Sequence, residues 1–442
     1  MTADSMVLIG AGSTVFTPGL LHDLARSRVF DDFTVHLVDL DPEAAEVMAA
    51  LGRRIAARHG SNLRVEAHTD RREALADARF VATTIAVGSA EGWGADLDIP
   101  EKQGIQQTVG DSVGPGGLLR ALRHVPELVA IAEDVADLAP QAWLLNYSNP
   151  LTANVRAVLQ QTEVRAVGLC HGTMHTKAHL CDEIGVDRAG VQATFAGLNH
   201  LCWLLDIRQD GRDLYPEVRK LVRVPVPGDP RASADGIHGQ VSADLMRRYG
   251  RYPAPGDRHV AEFFADYLRL DDDGELAWGL RGGLDMTRQY IDEKGSLWAR
   301  LRDQASGSAP VEAPHHQEAE RLVGIAEALV LGRDHLELAV NLQNDGAIPN
   351  LPPWAVVEVP ARVGAEGITG VDVGPLPDDI ATLLQARVEQ QELTVRAAVT
   401  GSRETALQAL ALDPLVPDAA CAESMLDDAV AAHTPSLDRF AR

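Results

Sequence analysis

The 442-residue chain reads as an α/β protein, with an N-terminal doubly wound parallel sheet followed by a C-terminal α+β lobe. Three observations predict this. Short apolar runs alternate with amphipathic stretches through the first half, as in a parallel sheet covered by helices. A glycine-rich turn, "GAGST", follows the first apolar run. The later sequence turns to hairpin-like strands and interrupted helices, so the expected boundary lies between residues 1–196 and 197–442.

Strands are expected at "MVLIG", "FTVHLVDL", "LRVEAHT", "FVATTIAV", "AWLLNYS" and "VRAVGLC". Helices fall between them at "PGLLHDLARSRVF", "PEAAEVMAALGRRIAARHG", "REALADA", "LLRALRHVPELVAIAEDVADLA" and "LTANVRAVLQQ". In the second half, "FAGLNHLCWLLDIRQDGRDLYPEV" reads as strands around an Asp210-Gly211 turn. A helical region broken by Pro and Gly spans about 235–270. "ASGSAPVEAPHH" (305–316) reads as a polar loop, "HQEAERLVGIAEALVLG" as a helix and "WAVVEVPARVGAEGITGVDV" as a strand pair. The tail from Pro377 reads as helical.

Composition narrows the function classes. Hydrophobic residues make up 45%, enough for a sizeable core, and the formal net charge of -24 disfavours nucleic acid and anionic membranes. The same acidity also serves solubility alone. Cys170, Cys181, Cys202 and Cys421 follow neither zinc-finger nor disulfide-scaffold spacing. No signal peptide and no membrane-length apolar run are read, so a cytoplasmic protein with reduced thiols is expected.

The N-terminal turn has dinucleotide-binding chemistry. Gly10 permits a tight turn, and Gly12 lets the backbone approach a pyrophosphate at a helix N-terminus. Ser13 and Thr14 complete the turn. Val15 replaces the third glycine of the usual motif. Asp39, ending "VHLVD", can accept from a ribose diol and would repel a 2′-phosphate, which favours NAD over NADP in this Rossmann-like half. An ordinary tight turn would share the glycines.

Two other phrases bear on chemistry. Cys170 and His171 in "GLCHG" end a strand, and His200 in "GLNHLCW" lies in the next strand-like segment. A thiolate and an imidazole at two strand ends can share a divalent ion and leave it open to substrate. Equally, Cys170 can be a small core residue and His200 a satisfied core histidine. Asp111 stands in the glycine-rich "GDSVGPGG" before a long helix. Asn149 in "NYSNPLT" can bind sugar or ribose hydroxyls, or cap the helix that follows.

Together, "GAGST", "GDSVGPGGLLRALR", "LLNYSNPLT", "GLCHG", "GLNHLCW", "GDRHVAEFF" and "NDGAIPNLPPWAVVEVPA" resemble family-4 glycoside hydrolases over nearly the whole chain. That family is NAD-dependent and departs from two-carboxylate hydrolysis. The resemblance implies a lactate dehydrogenase-like C-terminal domain, with Cys170 and His200 as ligands of Mn2+ or another divalent ion. Ligand softness alone would have pointed to zinc. It also implies a homodimer or homotetramer acting on a small-molecule glycoside. His171 after the cysteine, with "DSVGPGG", is similar to the branch cleaving non-phosphorylated α-glucosides, α-galactosides or hexuronides.

The implied mechanism is C3 oxidation by NAD+, C2 deprotonation, elimination at C1, addition of water and return of the hydride. Asp257 is the expected base, with Tyr249 as the alternative. His171 and Asp111 are candidates for protonating the leaving group or contacting sugar hydroxyls. Arg258, His259 and Glu262 are expected cleft neighbours, and Arg258 or Arg281 could face a C6 carboxylate. The competing readings are an NAD-dependent dehydrogenase of a sugar, polyol or hydroxy acid, and a non-catalytic NAD-binding regulator. A dehydrogenase would accumulate NADH and need no metal pair.

Overall fold

The structure is a computed structural model and describes residues 4–222, 239–312 and 321–441. Six parallel strands form its N-terminal sheet: β1 (Ser5–Ile9), β2 (Thr34–Val38), β3 (Arg64–His68), β4 (Phe80–Thr83), β5 (Trp143–Asn146) and β6 (Arg165–Gly168). Their order is β3-β2-β1-β4-β5-β6, the doubly wound arrangement with its switch point between β1 and β4. Ligand sites in such sheets lie outside the strand C-termini near that point. All six expected strands are present.

Local chemistry explains the elements. β1 is buried throughout, as a central parallel strand should be. The Pro42–His59 helix has Pro42 in its first turn, and Asp41 Oδ1 accepts from Glu43 N (2.9 Å) and Ala44 N (3.4 Å). Gly60 ends it in the left-handed conformation.

The second half continues the same sheet. β7 (Val191–Leu198), β8 (Leu201–Gln209), β9 (Arg212–Asp213), β10 (Tyr252–Ala254), β11 (His335–Gln343), β12 (Val356–Gly364) and β13 (Gly367–Gly370) are antiparallel to their partners. β11 joins β6 through Asn341 opposite Gly168, and β12 joins β7 through Glu358 opposite Gly197. The expected 196/197 boundary thus falls inside β7, in a sheet that runs unbroken from one half to the other.

Several features differ from expectation. The β7–β8 hairpin turns at Asn199-His200, so His200 is a turn residue rather than a strand residue. Its φ of 65° lies in the left-handed region, which side chains of this kind enter mainly in tight turns. Asp210-Gly211 makes the next turn, as expected, with φ of 49° and 80°. β11 and the helices Ser89–Lys102, Gly172–Ile184 and Gly283–Ser306 were not read from the sequence. The expected loop at 305–316 begins only at Gly307, and 313–316 lie outside the described residues, as do 235–238. No helix among the described residues is long and apolar enough to cross a membrane.

Candidate active site

The dinucleotide turn is held by its own backbone and by Asp39. Gly10 N and Ala11 N donate to Val38 O at 2.9 and 3.0 Å. Gly10 has φ 88°, and a Cβ there would lie 2.8 Å from the Thr84 backbone carbon, so only glycine fits. Gly12 N donates to Asp39 Oδ2 at 2.7 Å, while Asp39 Oδ1 accepts from Asp41 N at 3.0 Å. A Cβ on Gly12 would meet that same carboxylate oxygen at 2.7 Å. Ser13 Oγ accepts from Phe16 N at 3.2 Å at the start of the Phe16–Arg26 helix. Thr14 Oγ1 lies 3.3 Å from Tyr290 Oη, on the Gly283–Ser306 helix. Val15 is half-exposed where the third glycine would stand.

The second cluster gathers at the junction of the parallel and antiparallel strands. Cys170 lies two residues beyond the end of β6, not in the strand, and Gly172 N donates to its Sγ at 3.4 Å. From the β7–β8 turn the buried His200 imidazole reaches the Cys170 thiol. Its Nδ1 is 3.8 Å from Asp111 Oδ1. Burial opposes its protonation, but Cys170, Asp111 and Glu358 outweigh burial and push its pKa up to about 9. His259 packs edge-on against it, with ring centroids 4.5 Å apart.

Asn149 does not cap the Leu151–Gln161 helix. Its Nδ2 donates to Asp111 Oδ2 at 2.7 Å, and Ser112 Oγ donates to Asp111 Oδ1 at 2.8 Å. The side chain that the glycine loop presents is therefore fixed from two directions.

The loop itself is anchored by Glu262. This buried carboxylate accepts from Thr108 N (2.9 Å), Val109 N (2.8 Å) and Gly110 N (2.7 Å). Burial and the nearby Asp111 raise its pKa to about 7 against those hydrogen bonds. Arg258 Nη2 donates to Thr108 O at 3.1 Å, so Arg258 also grips this loop. Arg281 is exposed just before the Gly283–Ser306 helix.

The two expected base candidates have other surroundings. Asp257 is buried and accepts from Val241 N, Ser242 N (both 2.9 Å) and Ser242 Oγ (2.5 Å), in the first turn of the Gln240–Tyr249 helix. Burial raises its pKa in spite of these donors. Tyr249 packs among aromatic rings, 5.0 Å from Trp203 and 6.1 Å from Phe264, and burial raises its pKa. The structure thus brings Cys170, His200, Asp111 and Asn149 together. It gives Asp257 the geometry of a helix cap and Tyr249 that of a packing residue.

Two supporting residues escaped the sequence reading. Glu358 in β12 is buried and accepts from Asn199 Nδ2 and Asn341 Nδ2, each at 3.0 Å. A glutamate inside the apolar run "AVVEVPA" was the available signal, since carboxylates are almost never fully buried without partners. Arg321, also buried, donates to Cys170 O at 3.0 Å and to Glu337 Oε1 at 2.9 Å. It holds the backbone of the cysteine loop in place.

The two clusters are neighbours. Phe16 follows the dinucleotide turn and lies 5.6 Å from Tyr147; Tyr147 stacks with His171 at 6.1 Å, and His171 directly follows Cys170. A short chain of rings thus links the dinucleotide turn to the Cys170–His200 pair.

Models of known families match this chain in two segments: "Family 4 glycosyl hydrolase" over residues 5–186, and "Family 4 glycosyl hydrolase C-terminal domain" over 195–416. The alpha-galactosidase of Bacillus subtilis (strain 168) is 31% identical over 98% of this chain and 99% of its own length. An alpha-galacturonidase of the same organism is 32% identical over 95% of each chain. Among solved structures, a 6-phospho-alpha-glucosidase from gut microorganisms in complex with NAD and Mn2+ superposes with TM-score 0.84. It covers 98% of this chain and 99% of that one at 23% identity, a likeness of fold. The chain belongs to family 4 of the glycosyl hydrolases and is a glycosidase.

Proposed function

We propose that this enzyme is an NAD+- and divalent-metal-dependent glycosidase of non-phosphorylated α-glycosides: a glucoside, galactoside or hexuronide. The observation that carries the reading is the adjacency of the Gly10–Asp39 turn and the Cys170–His200 pair, bridged by Phe16, Tyr147 and His171. The residues fit both groups. A glycine turn that a Cβ would block lets the backbone come close to a pyrophosphate, and Asp39 suits a free ribose diol. Cys170 and His200 offer a soft sulfur and an imidazole, with the Asp111 carboxylate beside His200. Mn2+ is the preferred ion on the strength of the solved relative named above.

When bound, NAD+ would supply a hydride sink for the sugar and the ion would supply Lewis acidity, which together would make the C2 proton acidic. The chain's own residues do the rest. Arg321 and Gly172 fix Cys170, while Glu358 fixes Asn199 next to His200. Asn149 and Ser112 hold the Asp111 carboxylate beside His200, where it can take the C2 proton. His171, next to Cys170, is the group for the leaving-group oxygen. Asp257 acts as a positioning residue through the Gln240–Tyr249 helix.

The non-phosphorylated branch is supported by His171 after Cys170 and by relatives named alpha-galactosidase and alpha-galacturonidase. The test is a panel of p-nitrophenyl α- and β-glycosides, with 6-phosphoglycosides alongside, assayed with NAD+, Mn2+ and a reductant. Turnover of an unphosphorylated α-glycoside without net NADH is expected. Turnover confined to 6-phosphoglycosides would overturn the branch, and net NADH accumulation would indicate a dehydrogenase.

A further inference from the structure

We propose that His36, Glu66 and His68 form a second divalent-metal site, of zinc-binding chemistry, on the outer edge of the N-terminal sheet. Strand geometry assembles it. In the parallel register of β2 and β3, His36 is opposite Glu66 and Val38 is opposite His68. Side chains two residues apart on a strand share a face, so Glu66 and His68 point to the same side, and His36 points there from the neighbouring strand.

The distances suit one ion. His36 Nδ1 is 2.9 Å from His68 Nε2 and 3.6 Å from Glu66 Oε2; His68 Nε2 is 3.9 Å from the same oxygen. A tetrahedral zinc with bonds of about 2.0–2.1 Å separates its ligand atoms by roughly 3.4 Å. Among the described residues, this is the one group of three or more His, Cys, Asp or Glu side chains whose ligand atoms all lie within 4.8 Å of each other. A simple imidazole pair accounts for the 2.9 Å contact. It does not call for a carboxylate oxygen within reach of both ring nitrogens.

The donor set is chemically apt. Two imidazoles and one carboxylate suit zinc better than Mg2+ or Ca2+, and three protein ligands leave a position for water. Glu66 is 55% exposed at its side chain and each histidine 18%, so an ion can enter from solvent.

The site is separate from Cys170 and His200. β3 is the outermost strand, and β2, β1, β4 and β5 stand between it and β6. It nevertheless adjoins the dinucleotide turn, because Asp39 N donates to His68 O at 3.2 Å. An ion here would clip β3 to β2 through His36, three residues before the carboxylate that braces Gly12.

The test is zinc stoichiometry on full-length, chelator-stripped protein. Wild type should bind two equivalents per chain. His36→Ala/His68→Ala should bind one, and Cys170→Ser should bind one. With Co2+, thiolate charge-transfer absorption should vanish in Cys170→Ser and persist in the double histidine variant. Glu66→Gln changes an exposed side chain and preserves the fold. It should weaken the second equivalent by about 100-fold or more, beyond the 10–100-fold typical of losing an outer-sphere partner. Equal zinc binding by wild type and the double histidine variant overturns the site, as does unchanged affinity in Glu66→Gln. Retention of both equivalents by Cys170→Ser would count against the catalytic centre alone.

Discussion

The dinucleotide turn and the Cys170–His200 cluster are linked through Phe16, Tyr147 and His171 but are built in opposite ways. The turn comes from a single strand–turn–helix segment plus one carboxylate at the end of the adjacent strand. The cluster draws Asp111, Asn149, Cys170, His200 and Glu358 from five separate segments, meeting where β6 gives way to β11 and β12 gives way to β7. The first can form wherever its local chain folds. The second requires both halves of the sheet to be in register. Binding of the dinucleotide should therefore survive damage that destroys the cluster.

The sharpest way to break that comparison is to remove the cluster's donors. Cys170→Ser and His200→Ala should each lower kcat by about 10³-fold or more, since Lewis acidity contributes several kcal/mol and each ~1.4 kcal/mol is tenfold. NAD+ titration followed by fluorescence should give a nearly unchanged Kd. A parallel collapse of NAD+ affinity would show that the two regions form one cooperative unit.

A smaller loss is expected at Asp111. Asp111→Asn should reduce turnover by about 10²-fold, within the range for general-base removal. It should equally slow release of label from substrate deuterated at C2. Asp257→Asn should mainly lower Tm, because the buried carboxylate accepts from two backbone N–H groups and the Ser242 hydroxyl at a helix start. If label release instead falls in Asp257→Asn and stays in Asp111→Asn, the base is Asp257. If it survives in both, Tyr249 is the group to replace next.

On the dinucleotide side, Asp39→Ala should weaken NAD+ binding by about 1–3 kcal/mol through loss of a partly buried hydrogen-bond acceptor. Metal affinity measured on the same variant should not move. The selectivity against NADP+ should shrink as well, because the carboxylate that repels a 2′-phosphate is gone.

This contrast also explains what could be read from the sequence. The central parallel strands β1, β4 and β5 are nearly continuous apolar runs, and Gly10, Gly12 and Asp39 declare themselves by position along one local stretch. Cys170 and His200 carry no such periodic signal; the order of motifs, not their spacing, pointed to them. His200 was read as part of a strand because its φ of 65° cannot be anticipated from "GLNHL", which lacks the Asn-Gly or Asp-Gly of a typical two-residue hairpin. β11 escaped although Leu336, Leu338, Val340 and Leu342 recur at every second position of "HLELAVNLQ", the period of a strand. Glu262 was placed in the cleft, but its grip on three backbone N–H groups 152–154 residues away is a tertiary fact with no local trace.

The smallest expected effect concerns acid stability and belongs to the dinucleotide half alone. His22 lies on the Phe16–Arg26 helix, almost fully buried, with Nδ1 3.1 Å from His59 Nε2. Burial first, then the neighbouring His59 and Arg26, lower its pKa to about 4. The unfolded chain has the ordinary value near 6.5. Between these values the unfolded state binds more protons than the folded state, so stability must fall as pH drops from about 6.5 toward 4. The loss at pH 5 should be on the order of 1 kcal/mol after allowance for screening by solvent. His22→Gln keeps a polar partner for His59 but cannot take up a proton. The Tm difference between pH 7 and pH 5 should therefore be smaller in the variant than in wild type. An equal or larger difference would mean that His22 does not carry this linkage, and that the acid sensitivity of the fold resides in groups outside the first helix.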